Sequence, residues 1–388
     1  MALTRLRLQD FRNLDRQDLQ VPPEGFALIG DNAQGKSNLL EAVYYLETFR
    51  SFRGAADREL VAFGETVFRV QADLGREGGE GEVRSVSAAY DRSSRRKKVM
   101  VDSREVSRIG DGLGRLGAVI FSPEDVALIS EGPGGRRRFL DILLSLNDPG
   151  YLEHLQRFRH ALQARNALLK QGPGGGDLVA WDELLTRHGA EVLSRRMRWA
   201  IQYAPLFRGH YGAVSGGEEA WMEYRCTAGP NPSAPRAEDG NAPSPSAPPV
   251  QELTRRFREA LDAAWERDRQ RGWTTVGPHR DDLYMGMGEP GETTSLRSFG
   301  SGGQRRTAAL ALRLVEGECL RRSRDRRPMI LMDDVFAELD EGRSQRLLEL
   351  LEGPGLGQAL ITAPKDSEIR LRRDTLPRWR IRYGRVES

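Results

Sequence analysis

The chain has 388 residues, of which 30% are charged and 38% are hydrophobic, and its formal net charge is +3. These values predict a globular protein with room for two to three domains. The nearly neutral net charge does not by itself indicate a nucleic-acid partner. Two cysteines and five scattered histidines show no metal-ligand spacing, which excludes a zinc site or a disulfide framework.

Membrane and export signals are the next class that the composition excludes. No apolar run approaches the roughly 18 residues that a membrane-spanning helix needs. The N-terminus also lacks the apolar core of a signal peptide. The sequence therefore predicts a cytoplasmic protein.

The first third of the chain has the patterns of β-strands. Residues 3–9 alternate apolar and polar side chains, which is typical of a half-buried strand. A short apolar strand at 26–29 runs directly into a glycine-rich loop, and residues 38–46 follow as a helix. Further strands are predicted at 66–73, 83–91 and 119–121.

The middle of the chain is predicted to be helical. Apolar residues recur with a period near 3.5–3.6 over 151–170 and again over 181–203. The glycine-rich break at 171–177 predicts an antiparallel hairpin with arms of about 30–35 Å, although an ordinary helical subdomain fits equally well. Residues 228–249 are rich in proline, serine and alanine, which predicts a mobile loop.

The last third is predicted to hold two helices and two buried strands, near 250–270, 304–322, 328–332 and 358–362. Strands at both ends of the chain with helices between them predict one α/β domain that is interrupted by a helical insertion. We therefore predict a first lobe of residues 1–122 and 262–388, and a helical lobe or arm of residues 123–261.

The glycine-rich loop matches the phosphate-binding pattern G-x-x-x-x-G-K-[ST] in the required context between a strand and a helix. Gly30 and Gly35 allow backbone amides to turn toward phosphates. Lys36 would neutralise the phosphates, and the hydroxyl of Ser37 would bind Mg²⁺. Only five of the 59 basic residues are lysine, so a lysine at this position is informative. The predicted ATP-binding residues are Gly30, Asp31, Asn32, Ala33, Gln34, Gly35, Lys36, Ser37 and Asn38.

Two acids follow the apolar run at 329–332. A carboxylate at the C-terminal end of a buried strand is where Mg²⁺ needs a second protein ligand. We therefore predict that Asp333 binds Mg²⁺ and that Asp334 orients the attacking water. With Lys36, these two acids are the predicted catalytic residues.

A Ser-Gly-Gly-Gln segment precedes the helix at 304–322 and lies 264 positions after Ser37. Its amides and its serine can hold a γ-phosphate, but the loop at 30–37 already does so within the same chain. The simplest interpretation is that this segment caps the nucleotide of a second copy, so that ATP drives homodimer formation. The predicted capping residues are Ser301, Gly302, Gly303 and Gln304.

These motifs, in this order, resemble the ATPase head of the ABC class, and the intermediate length between them is similar to that of the RecF family. Five further segments resemble this family, at 11–13, 123–125, 132–141, 277–283 and 334–343. The resemblance implies an α/β ABC-type head with an inserted helical lobe. It also implies that Arg12 binds the nucleotide and that Asp340 lies in a loop crossing the dimer interface.

By this resemblance, ATP and Mg²⁺ would close a homodimer around double-stranded DNA near single-strand gaps. The closed dimer would work with RecR and RecO in loading RecA, and weak DNA-stimulated hydrolysis would release it. Three departures from the usual pattern of ABC-type heads predict a turnover below about 10 s⁻¹. Asp334 stands where these heads usually have a glutamate, no histidine follows 358–362, and no glutamine follows Phe121. An importer subunit, an SMC-like tether and a scaffold that binds ATP for structure alone stay open as alternatives.

Basic clusters at 94–98, 136–138 and 255–258 could contact DNA phosphates, which would give salt-dependent and mostly sequence-blind binding. Ordinary solvated charge is the alternative in an arginine-rich chain, so the DNA prediction depends chiefly on the family resemblance. The predicted DNA contacts are Arg95, Arg96, Lys97, Lys98, Arg136 and Arg137.

Overall fold

A computed structural model describes residues 2–75, 84–171, 178–229, 246–288, 294–325, 327–353, 357–369 and 375–387. Contacts between residues divide the chain into two compact units, Met1–Asp125 with Glu316–Ser388, and Val126–Val315. No helix among the described residues is long and apolar enough to cross a membrane.

The strands of the described residues, in chain order, are Ala2–Gln9 (β1), Gln17–Gln20 (β2), Gly25–Ile29 (β3), Val67–Gly75 (β4), Arg84–Asp91 (β5), Arg96–Val101 (β6), Arg104–Glu105 (β7), Ala118–Phe121 (β8), Ala220–Arg225 (β9), Asp282–Met287 (β10), Met329–Asp333 (β11), Ala359–Ala363 (β12), Arg378–Arg382 (β13) and Arg385–Glu387 (β14). The helices are Lys36–Thr48 (α1), Asp57–Leu60 (α2), Ala127–Ser130 (α3), Pro133–Asn147 (α4), Pro149–Gln171 (α5), Leu178–Ser215 (α6), Val250–Arg271 (α7), Leu296–Phe299 (α8), Gly302–Arg324 (α9) and Glu341–Glu352 (α10).

Two sheets build the first unit. One is antiparallel, with the strand order β2-β1-β4-β5-β6-β7, and the other has the order β14-β13-β3-β12-β11-β8. In the second sheet β13, β3, β12, β11 and β8 are mutually parallel. Its strands β8, β11 and β12 are buried at every residue, as expected for parallel strands covered on both faces.

The register of the parallel sheet positions the functional site. Strand β12 lies between β3 and β11, with Ala363 opposite Ile29 and Thr362 opposite Asp333. Because all three strands run in the same direction, their carboxyl ends meet at one edge of the sheet. The loop after β3, the end of β12 and the acids at the end of β11 are therefore neighbours.

The second unit is built on packed helices and one strand pair. Helix α6 packs against both α5 and α7, and β9 pairs with β10 in antiparallel register. The predicted helices at 151–170, 181–203 and 250–270 are confirmed. Most of the predicted break at 171–177 and of the predicted mobile loop at 228–249 lies outside the described residues.

The division between the units differs from the predicted lobes at one end. The first border lies after Asp125, close to the predicted border at 122, but residues 262–315 belong to the second unit. The physical reason is that α7 packs against α6 and that β10 pairs with β9. The assignment of these segments to functional lobes stays a prediction.

A buried polar network holds the second unit together. The side chain of Arg196, on α6, donates hydrogen bonds to the carboxylate of Asp141 at 2.7 Å and to the carbonyl oxygen of Pro278 at 2.7 Å. It also donates to the hydroxyls of Tyr151 and Tyr224, at 3.0 and 3.1 Å. A buried charge with this many partners is compensated, so the network ties α4, α5, α6 and β9 to the segment at 277–283.

The segment at 277–283 extends the same network. The buried carboxylate of Asp281 accepts hydrogen bonds from the Tyr224 hydroxyl at 2.7 Å and from the amide and hydroxyl of Thr227 at 2.8 and 2.7 Å. Gly277 has φ +115°, and a Cβ there would lie 2.5 Å from the Phe257 ring. The segment at 277–283, which carries part of the family resemblance, therefore has a packing role in the second unit.

The stability of the second unit is expected to decrease as the pH is lowered, because of the largely buried His279. Burial lowers the pKa of His279 to about 4, and its Nε2 lies 3.0 Å from the carbonyl oxygen of Thr274. The folded form therefore binds fewer protons than the unfolded form, whose histidine titrates near 6.5. We expect a loss of about 1–3 kcal/mol as the pH falls from about 6.5 to 4.

Chemical denaturation at several pH values measures this loss. The variant His279→Gln is expected to flatten the pH dependence without abolishing it, because burial also lowers the pKa of His154 and His188. An unchanged slope in this variant would contradict the assignment.

Candidate nucleotide-binding site

The loop between β3 and α1 has the shape that the phosphate-binding pattern predicts. Helix α1 begins at Lys36, directly after Gly35, whose φ is +112°. A Cβ at Gly35 would lie 2.9 Å from Oδ1 of Asn13, so glycine is required on both counts. The buried Lys36 ammonium donates hydrogen bonds to the carbonyl oxygens of Gly30 and Asp31, at 2.7 and 3.2 Å.

The C-terminal residues of the chain brace this loop from outside. The amide of Tyr383 donates to Oε1 of Gln34 at 2.6 Å, and the amide of Gly384 donates to the carbonyl oxygen of Gln34 at 2.9 Å. The side chain of Asn38 donates to Oδ1 of Asn13 at 2.7 Å and accepts from Arg53 at 3.1 Å. The side chains of Gln34 and Asn38 thus have protein partners, and their predicted contacts with ATP stay predictions.

The ends of β11 and β12 and the first turn of α1 meet at one carboxylate. Oδ1 of Asp333 accepts a hydrogen bond from the Ser37 hydroxyl at 2.9 Å and another from the Thr362 hydroxyl at 2.8 Å. The amide of Asp334 donates to the same Thr362 oxygen at 3.1 Å. The structure therefore brings Ser37 and Asp333 together, as the sequence predicts, and adds Thr362 between the two acids.

Asp334 has an unusual backbone conformation. Its φ is +47°, in the left-handed region that non-glycine residues rarely adopt. Such strain costs about 1–3 kcal/mol and persists where the surroundings enforce it. The hydrogen bond from its amide to Thr362 is one contact that holds this conformation.

Electrostatics favour a cation beside Asp333. Burial raises the pKa of Asp333, and the nearby charges of Asp334 and Glu124 raise it further, while hydrogen bonds from Thr362 and Ser37 oppose the rise. A buried carboxylate that carries a raised pKa and has acidic neighbours is stabilised in its charged form by a positive ion.

The chemistry of these oxygen donors fits Mg²⁺. The Ser37 hydroxyl and the Asp333 carboxylate are 2.9 Å apart, and both are hard oxygen ligands. The described residues contain no group of three or more His, Cys, Asp or Glu side chains that could hold a metal ion. Mg²⁺ usually takes one or two carboxylates and fills its other positions with phosphates and water.

Thr362 is the site residue that the sequence analysis missed. We expect Thr362→Val, which keeps the shape but removes the hydroxyl, to lower ATP turnover about 10- to 100-fold. The reason is that Asp333 loses a donor and the Asp334 amide loses its acceptor, each about 1–3 kcal/mol. Thr362→Ser is the matched control and is expected to keep most of the activity. Equal turnover in the valine variant would show that the hydroxyl does not position these acids.

Arg12 is held by an internal ion pair. Its guanidinium donates to both carboxylate oxygens of the fully buried Glu41, at 2.9 and 3.1 Å, and to the carbonyl oxygen of Glu59 at 3.3 Å. This pair ties the segment at 11–13 to helix α1. A contact between Arg12 and the nucleotide stays a prediction.

The Ser-Gly-Gly-Gln segment lies in the second unit and forms the N-terminus of α9. The Ser301 amide donates to Oε1 of Gln304 at 2.9 Å, and the Gln304 amide donates to the Ser301 hydroxyl at 3.2 Å, a reciprocal capping box. Gln304 also donates to Glu218 at 3.0 Å. A Cβ at Gly302 would meet no described atom within 4 Å, so this helix start has open space beside it.

Asp340 has a local structural role. Its carboxylate accepts a hydrogen bond from the Arg343 amide at 2.9 Å and pairs with the Arg343 guanidinium at 2.7 Å, so it caps helix α10. These hydrogen bonds lower the pKa of Asp340. Its predicted place at a dimer interface stays a prediction.

The structure places two of the predicted DNA contacts in internal ion pairs. The mostly buried Lys97 ammonium lies 2.8 Å from the Asp57 carboxylate and donates to the carbonyl oxygen of Phe49 at 2.7 Å. The buried Arg136 guanidinium forms two hydrogen bonds with Asp282, at 2.7 and 3.0 Å. Both side chains have internal partners, and their contact with DNA phosphates stays a prediction.

The other predicted contacts remain candidates to different degrees. Arg95 and Arg96 are exposed. Lys98 is exposed as well but lies 3.0 Å from the Glu105 carboxylate. Arg137 is partly buried and donates to the carbonyl oxygen of Asp281 at 2.8 Å.

The chain is similar to known proteins of one family. A family model described as the RecF/RecN/SMC N-terminal domain matches residues 2–376. The chain is 38% identical over 353 residues to the DNA replication and repair protein RecF of Anaeromyxobacter sp. (strain K), covering 90% of this chain and 89% of that protein. It is also 38% identical over 379 residues to the protein of that name from Frankia alni, covering 95% of each chain.

Solved structures extend the likeness to the fold. The structure of the recombination mediator protein RecF with ATP has a TM-score of 0.84 and 31% identity, covering 100% of this chain and 97% of the other. An SMC head bound to the C-terminal winged-helix domain of ScpA has a TM-score of 0.53 at 15% identity, which is a likeness of fold alone. The predicted α/β ABC-type head fold is thereby confirmed.

Proposed function

Because the chain belongs to the RecF family of DNA replication and repair proteins, we propose that it is an ATP-switched DNA-binding protein of recombinational repair. ATP binding would join two copies into a homodimer that clamps double-stranded DNA near single-strand gaps. The observation that carries this proposal is the convergence of Lys36, Ser37, Asp333 and Thr362 at one sheet edge.

The loop at 30–37 would bind the triphosphate of ATP. The Lys36 ammonium now donates to two loop carbonyl oxygens, and phosphate oxygens are stronger acceptors for the same donors. The amides that begin α1 add their positive partial charge. Ser37 and Asp333 would hold Mg²⁺, which neutralises phosphate charge when it is bound.

Hydrolysis would be slow and would serve to release the clamp. Asp334 would accept a hydrogen bond from the attacking water, whose oxygen bonds to the γ-phosphorus as the bond to the β-γ bridging oxygen breaks. Its side chain is one methylene shorter than glutamate, and Thr362 rather than a histidine lies beside it. We propose a weak, DNA-stimulated ATPase with a turnover below about 10 s⁻¹.

The Ser-Gly-Gly-Gln segment would cap ATP bound to the second copy. The first amides of a helix have no partner within the helix and favour an anion. Ser301 is exposed, and the space beside Gly302 is open. These features support a phosphate contact made in trans.

The DNA-bound dimer would work with RecR and RecO in loading RecA during repair of gapped DNA in the cytoplasm. The names of the relatives support DNA replication and repair as the setting. Exposed arginines such as Arg95 and Arg96 supply groups that could contact the DNA backbone.

A complementation experiment tests the trans arrangement. Analytical ultracentrifugation with a slowly hydrolysed ATP analogue is expected to show dimers for wild type and monomers for Lys36→Ala or Ser301→Arg alone. An equimolar mixture of the two variants is expected to form dimers again, because one composite site then has an intact loop and an intact cap. A mixture that stays monomeric would contradict capping in trans.

A further inference from the structure

The turn between β5 and β6 is closed by its own hydrogen bonds and leads into two exposed arginines, Arg95 in the turn and Arg96 at the start of β6. The carboxylate of Asp91 accepts hydrogen bonds from the amide of Ser93 at 2.8 Å and from the hydroxyls of Ser93 and Ser94 at 2.6 and 2.9 Å. These bonds lower the pKa of Asp91 to about 2. Neither Arg95 nor Arg96, both exposed, forms an ion pair with any described side chain.

A second turn beside it displays an aromatic ring. Residues 62–65 form a turn closed by a hydrogen bond from the Glu65 amide to the Ala62 carbonyl oxygen at 3.1 Å. Gly64 has φ +85°, as the third residue of such a turn requires. Phe63 at the tip is fully exposed, with a relative accessibility of 104%.

Contacts between neighbouring strands place the two turns at the same end of the antiparallel sheet. Val67 of β4 pairs with Asp91 of β5, and the next hydrogen bond runs from the Arg92 amide to the Thr66 carbonyl oxygen at 2.8 Å. The Arg92 guanidinium then donates to the carbonyl oxygen of Val61 at 3.2 Å. Arg92 thus connects the arginine loop to the base of the phenylalanine turn.

Phe63, Arg95 and Arg96 are all exposed at this end of the sheet, and together they define the aromatic–basic patch. A single exposed apolar side chain is common on protein surfaces and needs no explanation alone. An exposed aromatic ring and two exposed guanidinium groups at one end of a sheet suit single-stranded nucleic acid, because guanidinium groups contact phosphates and a ring stacks on a base. Charge therefore favours a polyanion over an apolar protein surface as the occupant.

We propose that the aromatic–basic patch binds DNA at the edge of a single-strand gap. Arg95 and Arg96 contact backbone phosphates, and Phe63 stacks on the first unpaired base. Stacking needs an unpaired base, so the ring discriminates a gap from a continuous duplex. This inference rests on the proposed DNA-binding function and gives that function a residue that senses the gap.

Binding of two matched DNAs to Phe63→Ala tests the proposal. One DNA is a gapped duplex with 2-aminopurine at the first unpaired position, and the other is a continuous duplex of the same length, both with the ATP analogue. We expect Phe63→Ala to bind the gapped DNA about 5- to 100-fold more weakly, from about 1–3 kcal/mol of stacking. Binding to the continuous duplex is expected to stay within about twofold of wild type.

Three variants separate base stacking from other effects on DNA binding. Phe63→Trp is expected to keep the gapped-DNA affinity and the quenching of 2-aminopurine, because it preserves a stacking ring. Trp273→Ala removes an exposed aromatic side chain in the second unit and is expected to change neither DNA. The double variant Arg95→Ser/Arg96→Ser is expected to bind both DNAs more weakly. It is also expected to lower the magnitude of the slope of log K against log salt concentration by about one to two.

The outcomes distinguish this inference from the function on which it rests. If wild type binds both DNAs and Phe63→Ala matches it on both, the patch is overturned while the DNA-binding function stands. Equal losses on gapped and continuous DNA would overturn base stacking specifically. If wild type binds neither DNA, the proposed function and the patch are both overturned.

Discussion

Replacing Lys36 with alanine is expected to weaken ATP binding about 100-fold, equivalent to about 2.7 kcal/mol. The ammonium is buried within the loop and donates two hydrogen bonds at 2.7 and 3.2 Å, which phosphate oxygens would take over. Hydrogen bonds to charged groups are worth about 1.5–3 kcal/mol each, so losing both accounts for this magnitude. Isothermal titration with an ATP analogue and Mg²⁺ measures the effect.

The exposed Lys365 provides a matched control for this experiment. Lys365→Ala removes the same charge and is expected to leave the affinity within about twofold. A thermal melt of Lys36→Ala checks that the fold survives. Affinities that agree between Lys36→Ala and wild type would contradict the assignment of the phosphate site.

Replacing Arg196 with alanine is expected to destabilise the second unit by about 3–5 kcal/mol. The variant leaves the Asp141 carboxylate without this partner, and it leaves the Pro278 carbonyl oxygen and two tyrosine hydroxyls short of a donor. Denaturant unfolding followed by far-UV circular dichroism measures the loss. In a unit of this size we expect a drop in Tm of about 10–15 °C.

Arg198 lies two positions further along the same helix and is exposed, so Arg198→Ala is the matched control. It is expected to change the free energy of unfolding by less than about 0.5 kcal/mol. If both variants lose the same small amount, the buried network does not hold the second unit together.

The parts of the site that local sequence determines could be predicted. The loop at 30–37 lies between a short apolar strand and a helix, and the acids at 333 and 334 follow an apolar run. Each pattern specifies its own local structure through glycine spacing and hydrophobic periodicity. Thr362 could not be found this way, because only the insertion of β12 between β3 and β11 brings its hydroxyl to Asp333.

The surroundings of basic residues also depend on pairing in the tertiary fold. Lys97 and Arg136 lie in runs of positive charge that predict an exposed surface, yet each is paired with a carboxylate far along the chain, Asp57 or Asp282. A run of charged residues does not reveal which of them pair with a carboxylate in the folded protein.

The strands β9 and β10 were missed for a related reason, since they are 57 residues apart and pair only through the tertiary fold.

Binding of a fluorescent gapped duplex by anisotropy, without nucleotide, with ADP and with ATP, tests the central claim most directly. Wild type is compared with Ser301→Arg, whose long cation would obstruct the start of α9. We predict that wild type binds the DNA tightly only with ATP. Ser301→Arg is expected to bind weakly under all three conditions. Binding that is indifferent to nucleotide, or equal in the two proteins, would contradict an ATP-switched clamp capped in trans.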